Sequence, residues 1–207
     1  MSVLNKISSA TGKKNEIPNR ELAKELAKTG DKKAITELVE NLSNKNKNIQ
    51  SDCIKVLYEI GEQKAELIAE FDKAFLALLD SKNNRLVWGA MTALDCIAGI
   101  NPNGIYKHLP KILEVTDKGS VITKDHGINI LIKLAAVRKY AEEALPLLLE
   151  QFKTSPTNQL PKYAEDAAAI IPDAYKNAFV KVLQARLTDI EKETKRKRVE
   201  KVIKKIS

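Results

Sequence analysis

Aromatic residues are scarce in this chain of 207 residues, at 5%, and Trp88 is the single tryptophan. A core must therefore be built from Leu, Ile, Val and Ala, which suits packed helices. The two cysteines, Cys53 and Cys96, stand 43 residues apart, which is neither a disulfide framework nor a zinc spacing. The two histidines, His108 and His126, form no HxxxH pair, so no metal site is expected. Glycine and proline number eight and seven, and no strand-like alternation of apolar and polar residues runs for any length. No apolar run reaches the roughly 18 residues that a membrane span needs. The first residues lack the apolar stretch of a secretory signal. The patterns GxxxxGKS/T, GxGxxG and GxSxG are missing as well, which removes the ordinary signatures of nucleotide hydrolysis, dinucleotide binding and the nucleophile elbow. These absences lead to an expectation of no cofactor, no catalytic residue and a cytoplasmic location.

What is present is a repeat. Hydrophobic residues make up 43% of the chain, enough for a packed core. Ile49, Leu86, Thr123 and Leu160 follow one another at steps of 37, as do Leu57, Leu94, Leu131 and Ala168, and Ile60, Ile97, Leu134 and Ile171. Small residues hold the position between them: Cys53, Ala90, Gly127 and Ala164. Within one unit these fall at i, i+4, i+8 and i+11, one face of an α-helix. A preceding helix is marked by Leu38, Phe75, Ile112 and Leu149 at the same step. Each unit is thus read as a helix pair, A then B, with turn formers Asn46, Asn83, Ser120 and Thr157 between them. Pro110 and Pro146 suit the first turn of an A helix, and Pro161 the start of the fourth B helix. The small position is expected where successive hairpins stack closely, so that Gly127→Leu would overpack.

The ends depart from the step. Residues 1–18 read as a flexible leader. Asn19 is placed to cap a helix of Arg20 to Lys28 that Gly30 ends. Residues 31–180 carry the core repeats, and 181–207 read as basic C-terminal capping helices with an apolar stripe through Leu183, Leu187, Ile190, Val199, Val202, Ile203 and Ile206. One domain over 19–207 is therefore expected. Lys192 to Ser207 hold eight cations and two anions, so six of the eight net positive charges lie there. The rest of the chain is close to neutral.

The B-helix pattern of apolar residue, small residue four on and Leu four on again, found at Leu86, Ala90 and Leu94, resembles HEAT repeats and the armadillo-type solenoids more broadly. Asp80 before the turn also fits. The basic residue usual one position after the first apolar one is poorly kept, being Gln50, Val87, Lys124 and Pro161. The resemblance implies an all-α, right-handed α-α superhelix of stacked antiparallel hairpins, with about four core repeats plus capping helices.

In such solenoids the B helices line the concave, binding face. The B-helix residues off the apolar stripe are then candidates for partner contact: Asp52, Lys55, Arg85, Trp88, Thr92, Asp125, His126, Asn129, Tyr163 and Asp166. Trp88 beside Arg85 has the composition of an interface anchor, although packing against the next hairpin is the plainer role for a lone aromatic. His126 next to Asp125 reads as a solvated helical histidine, because sequence neighbours on a helix point about 100° apart. The expected function is a non-enzymatic interaction module that binds a protein or peptide. The alternative is nucleic-acid binding, with Lys195, Arg196, Lys197, Arg198 and Lys201 of the basic tail contributing. Some solenoids of this kind are glycosylases of alkylated DNA bases. In this chain, however, Thr92 stands where their aspartate would follow the tryptophan, and the near-neutral body suits a phosphate backbone poorly.

Overall fold

The computed structural model describes residues 2–12 and 15–207. Its described residues form helices and turns, with no strand. The α-helices are α1 (Ile17–Thr29), α2 (Lys32–Glu40), α3 (Lys47–Gln63), α4 (Asp72–Ala77), α5 (Asn84–Ile97), α6 (Pro102–Lys107), α7 (Leu109–Lys118), α8 (Val121–Ala135), α9 (Arg138–Thr154), α10 (Leu160–Ala168), α11 (Asp173–Arg186) and α12 (Glu193–Ile206). They divide into two compact units, Met1–His126 and Gly127–Ser207, where one domain over 19–207 was expected. No helix among the described residues is long and apolar enough to cross a membrane.

The repeat period is visible in where the B helices begin. Helices α3, α5 and α8 start at Lys47, Asn84 and Val121, each 37 residues after the last. Asn46 and Asn83 cap the first two in the same way, accepting from the backbone N–H of Asn48 at 2.9 Å and of Arg85 at 3.1 Å. Such caps satisfy amide hydrogens that the helix itself leaves unbonded. Helix α10 starts at Leu160, with Pro161 in its first turn. Pro110 likewise sits in the first turn of α7. Pro146 does not open a helix, contrary to the sequence expectation. It lies inside α9, which begins at Arg138, because the apolar face set by Tyr140, Ala144 and Leu145 already pulls the preceding residues into the helix.

The stripe residues form the core. Leu57, Leu94, Leu131, Ile60, Ile97 and Leu134 are fully buried, as are Leu38, Phe75 and Ile112 on the A helices. The small series is buried too, at Cys53, Ala90, Gly127 and Ala164. Burial pushes the Cys53 thiol up to about 12, with Asp52 and Glu37 adding to the effect. The tightest approach of α3 to α5 lies one residue from this series. A Cβ on Gly89 would stand 2.5 Å from Ile54 Cγ1, and one on Gly61 would stand 2.6 Å from Ile68 Cδ1 and 3.1 Å from Cys96 Cβ. Gly30 ends α1 in the left-handed conformation, with φ of 66°, where glycine carries no Cβ penalty.

The N-terminal residues are not the loose leader that their composition suggested. Met1, Lys13 and Lys14 lie outside the described residues. Of the remainder, Val3–Lys6 form a 3-10 turn, and Val3, Ile7 and Ser8 are buried. Glu37 of α2 accepts from the Val3 N–H at 3.1 Å and from the Ser2 hydroxyl, and Lys6 pairs with Glu25 at 2.8 Å. Asn19 also departs from its expected role. Helix α1 begins two residues before it, and Asn19, 1% exposed, bridges the segment to α3. Its carbonyl oxygen accepts from the Ser8 N–H at 2.9 Å, and its amide donates to Asp52 at 2.7 Å.

In Gly127–Ser207, α12 packs against α10 and α11 and buries Val199, Val202 and Ile206. Phe152 of α9 meets Phe179 of α11 at a centroid distance of 5.7 Å. Arg186 closes the end of α9, donating to the carbonyls of Phe152, Lys153 and Ser155 at 2.6, 2.9 and 2.9 Å, a cation on the carbonyls that a helix C-terminus leaves open.

Candidate functional site

A cleft of about 680 Å³ opens in the Met1–His126 unit. Its walls are the N-terminal segment, the start of α1, one face of α3 and α5, and the first turn of α8. Its lining follows the repeat. Asn48, Arg85 and Ile122 occupy the same register position in successive units, as do Ser51 and Trp88, and then Lys55 and Thr92. The 37-residue step that builds the core thus also sets side chains side by side along the cleft.

Five of the residues expected to contact a partner meet in this cleft: Asp52, Lys55, Arg85, Trp88 and Thr92. Trp88 is half-buried, so it neither vanishes into the core nor stands free. Ile122 offers apolar surface beside it, at 42% exposure. Sequence reasoning missed Ile122, and also Asn48, Tyr58, Ser8 and Ser9. The first three could have been found by carrying the register of Arg85 and Asp95 into the neighbouring repeats.

Most charges in the cleft are already matched. Lys55 binds Glu59 at 2.6 Å and Glu16 at 3.3 Å, and its ammonium lies 4.7 Å from the centre of the Tyr58 ring. Burial works against the Lys55 charge, but hydrogen bonds to Glu59 and Tyr58 outweigh it and hold the ammonium above its ordinary range. Burial likewise raises the Tyr58 hydroxyl, against the opposing pull of Lys55. Asp52 accepts from the Ser9 N–H and from Asn19, both at 2.7 Å. Arg20 lies 3.7 Å from both Glu16 and Glu59. The Arg85 guanidinium is exposed and has no hydrogen-bond or ion-pair partner among the described residues. Ser8, 6% exposed in the cleft wall, has a hydroxyl with no hydrogen-bond partner among them.

His126 is not the solvated histidine that its neighbour Asp125 suggested. Its Nδ1 lies 2.8 Å from Asp95 Oδ2 and its Nε2 lies 2.9 Å from Thr92 Oγ1. The partners come from α5, more than thirty residues earlier, and sequence adjacency gave no sign of them. The order Thr–His–Asp is that of a nucleophile relay, but the hydroxyl is turned the wrong way for one. Thr92 donates its hydrogen to the Trp88 carbonyl at 2.9 Å and is only 7% exposed. A nucleophile would need that hydrogen directed at the histidine and its oxygen open to substrate. The network instead ties the first turns of α8 to α5 and braces the backbone that carries Trp88.

The remaining expected contacts lie elsewhere. Asp125 and Asn129 are half-buried on α8. Tyr163 is 1% exposed, which corrects its placement on a binding surface: its ring fills the core beneath α10. Asp166 pairs with Lys162 at 2.5 Å. On the basic tail, Arg198 forms a two-bond pair with Glu165 at 2.6 and 2.8 Å, which holds that carboxyl below its ordinary range. Lys197 pairs with Glu193 at 2.7 Å, Arg196 with Glu200 at 3.8 Å, and Lys195 donates to the side-chain oxygen of Asn158 at 2.6 Å. Most of the tail's named cations are thus engaged within the helix or with α10 and the loop before it. No group of three or more His, Cys, Asp or Glu among the described residues is placed to hold a metal ion.

No protein-family model matches the chain, and neither does any curated protein. Solved structures do. An engineered protein is similar with 20% identity and a TM-score of 0.64, over 100% of this chain and 97% of its own. A structure of computationally designed armadillo repeat proteins for modular peptide recognition matches at 14% identity and a TM-score of 0.65, over 92% of this chain and 94% of its own. A designed armadillo repeat protein in complex with the peptide (KR)4 matches at 16% identity and a TM-score of 0.69, over 91% and 87%. The fold is an all-α helical repeat of the HEAT and armadillo type.

Proposed function

We propose that this chain is a non-enzymatic interaction module that takes a protein or peptide segment in the cleft of the Met1–His126 unit. The observation that carries this reading is the lining of that cleft. The half-buried Trp88 sits with the unpaired Arg85 and the exposed Ile122, which hold one register position in successive repeats. Aromatic and arginine side chains are enriched among the anchors of interfaces. Two structures of similar fold are described by peptide recognition, which agrees with this use of the fold. Of the residues expected to touch a partner, Asp52, Lys55, Arg85, Trp88 and Thr92 are assigned to this site. Asp52 and Lys55 mainly shape it, since Lys55 is ion-paired and both Asp52 oxygens already accept hydrogen bonds.

The test is selection of random displayed peptides on the purified protein, with counter-selection on the Trp88→Ala, Arg85→Ala double variant after its helical circular dichroism has been matched to wild type. Peptides enriched on wild type should bind the variant at least about tenfold more weakly, the loss expected when anchor residues are truncated. Selected peptides that bind both proteins equally would place the site elsewhere.

A further inference from the structure

Resting on that reading, we infer that the partner segment is acidic: an extended stretch that sets a carboxylate on Arg85 and an apolar side chain against Trp88 and Ile122. The charges of the cleft point this way. Its carboxylates are engaged internally: Glu16 pairs with Lys55 and Arg20, and Asp52, which keeps its charge, accepts at both oxygens from the Ser9 N–H and Asn19. Its lysine, Lys55, is consumed by Glu59 and Glu16. Arg85 alone among the charged groups lining the cleft has no partner among the described residues. A basic segment would bring its cations to Arg85 and find carboxylates already bonded. An acidic one supplies the missing counter-charge.

Placement on the helices works in the same direction. Arg85 lies in the first turn of α5 and Asn48 in the first turn of α3, where the helix dipole favours an anion. The register also sets a spacing. Packed helices lie about 8–10 Å apart, which a polyproline-II-like extended chain crosses in three residues at about 3.1 Å each, with residues i and i+3 on one face. A carboxylate facing Arg85 therefore suits an apolar residue about three positions away, facing Ile122 in the next unit.

Trp88 is the only tryptophan, so its emission reports occupancy of this cleft directly. The experiment is a fluorescence titration of the full chain with three capped peptides, each two repeats long: Glu-Ser-Ser-Leu, Gln-Ser-Ser-Leu and Lys-Ser-Ser-Leu, which set the apolar residue three positions after the one that faces Arg85. The Glu peptide should bind most tightly and weaken with added salt. Arg85→Ala should lower its affinity about fivefold, the upper range for an exposed ion pair, and Arg85→Glu should make the Lys peptide the preferred ligand. Tighter binding of the Lys or Gln peptide to wild type would overturn the acidic assignment while leaving a peptide site in place. An unchanged Glu affinity in Arg85→Glu would overturn it as well. If none of the three perturbs Trp88, the acidic assignment fails, and the display selection above decides the site independently.

Discussion

Replacing Gly89 by alanine tests how α3 and α5 are held together. In an open helix the change should stabilise, since glycine costs about 1 kcal/mol relative to alanine. At this position the new methyl would stand 2.5 Å from Ile54 Cγ1 and 3.1 Å from its Cγ2, against an optimal carbon separation of about 3.5–4.0 Å. Ile54 is 1% exposed and β-branched, so its χ1 is nearly fixed in the helix and it cannot swing aside. Overpacking of this kind costs about 1–3 kcal/mol. The net change for Gly89→Ala is then a loss of up to about 2 kcal/mol, with the propensity gain subtracted. The sharper result comes from the Ile54 background. Ile54→Val keeps both γ carbons, so Gly89→Ala should remain unfavourable there. Ile54→Ala removes both at its own cost of about 2–5 kcal/mol, and in that background Gly89→Ala should stabilise by about 1 kcal/mol. Urea unfolding followed by Trp88 fluorescence, which reports on this unit, measures all six proteins of the two cycles. Additive effects in the Ile54→Ala cycle, with no coupling between the two positions, would refute the close approach of α3 to α5 at this point.

Two further predictions concern groups around the same helices. His126→Ala removes both bonds to α5 and should cost about 1–3 kcal/mol, read from the same unfolding transition; an unchanged midpoint would show that the Thr92–His126–Asp95 network does not brace α8. Cys53, held as the thiol up to about 12 by burial, should resist alkylation in native protein at mildly alkaline pH and react once urea unfolds the chain, because the thiolate is the nucleophile. The sign of the linked pH effect follows: between the ordinary thiol value of 9.0 and about 12 the folded state holds the proton that the unfolded state has lost, so stability falls as pH rises through that window. Cys53→Ala should flatten this alkaline loss, and an unaltered slope from pH titration of unfolding would contradict it.

Much of the fold was legible because its signal is periodic. Leu57, Leu94 and Leu131 recur at one step since each hairpin buries the same face against the next, and burial at those positions follows directly. Asn46 and Asn83 were readable for the same reason, as turn formers at one step, and they turn out to cap α3 and α5. What the step cannot encode is a contact made once. Val3 and Ile7 are two isolated apolar residues with no period, and the segment is held by backbone hydrogens such as the Ser9 N–H on Asp52, which no side-chain pattern reveals. Asn19 has the residue type of a cap but serves as a bridge, because its partners come from both sides of α1. His126 was misread since its partners lie a whole repeat away. Tyr163 was placed outward by its helix position, yet an aromatic ring of that size fills the core beneath α10. At the cleft, Trp88 and Arg85 were legible as residues off the core stripe. The bonding that leaves Arg85 uncompensated depends on Glu16, Lys55 and Asp52 meeting in space.

Whether the cleft of the Met1–His126 unit takes a peptide is best decided by backbone-amide and indole NMR of the isotopically labelled full chain, titrated with a display-selected peptide. Shifts should concentrate on Ser9, Asn48, Arg85, Trp88 and Ile122, with the Trp88 indole among the most strongly moved. Shifts concentrated on α12, with the indole unmoved by a bound peptide, would contradict the cleft as the binding site.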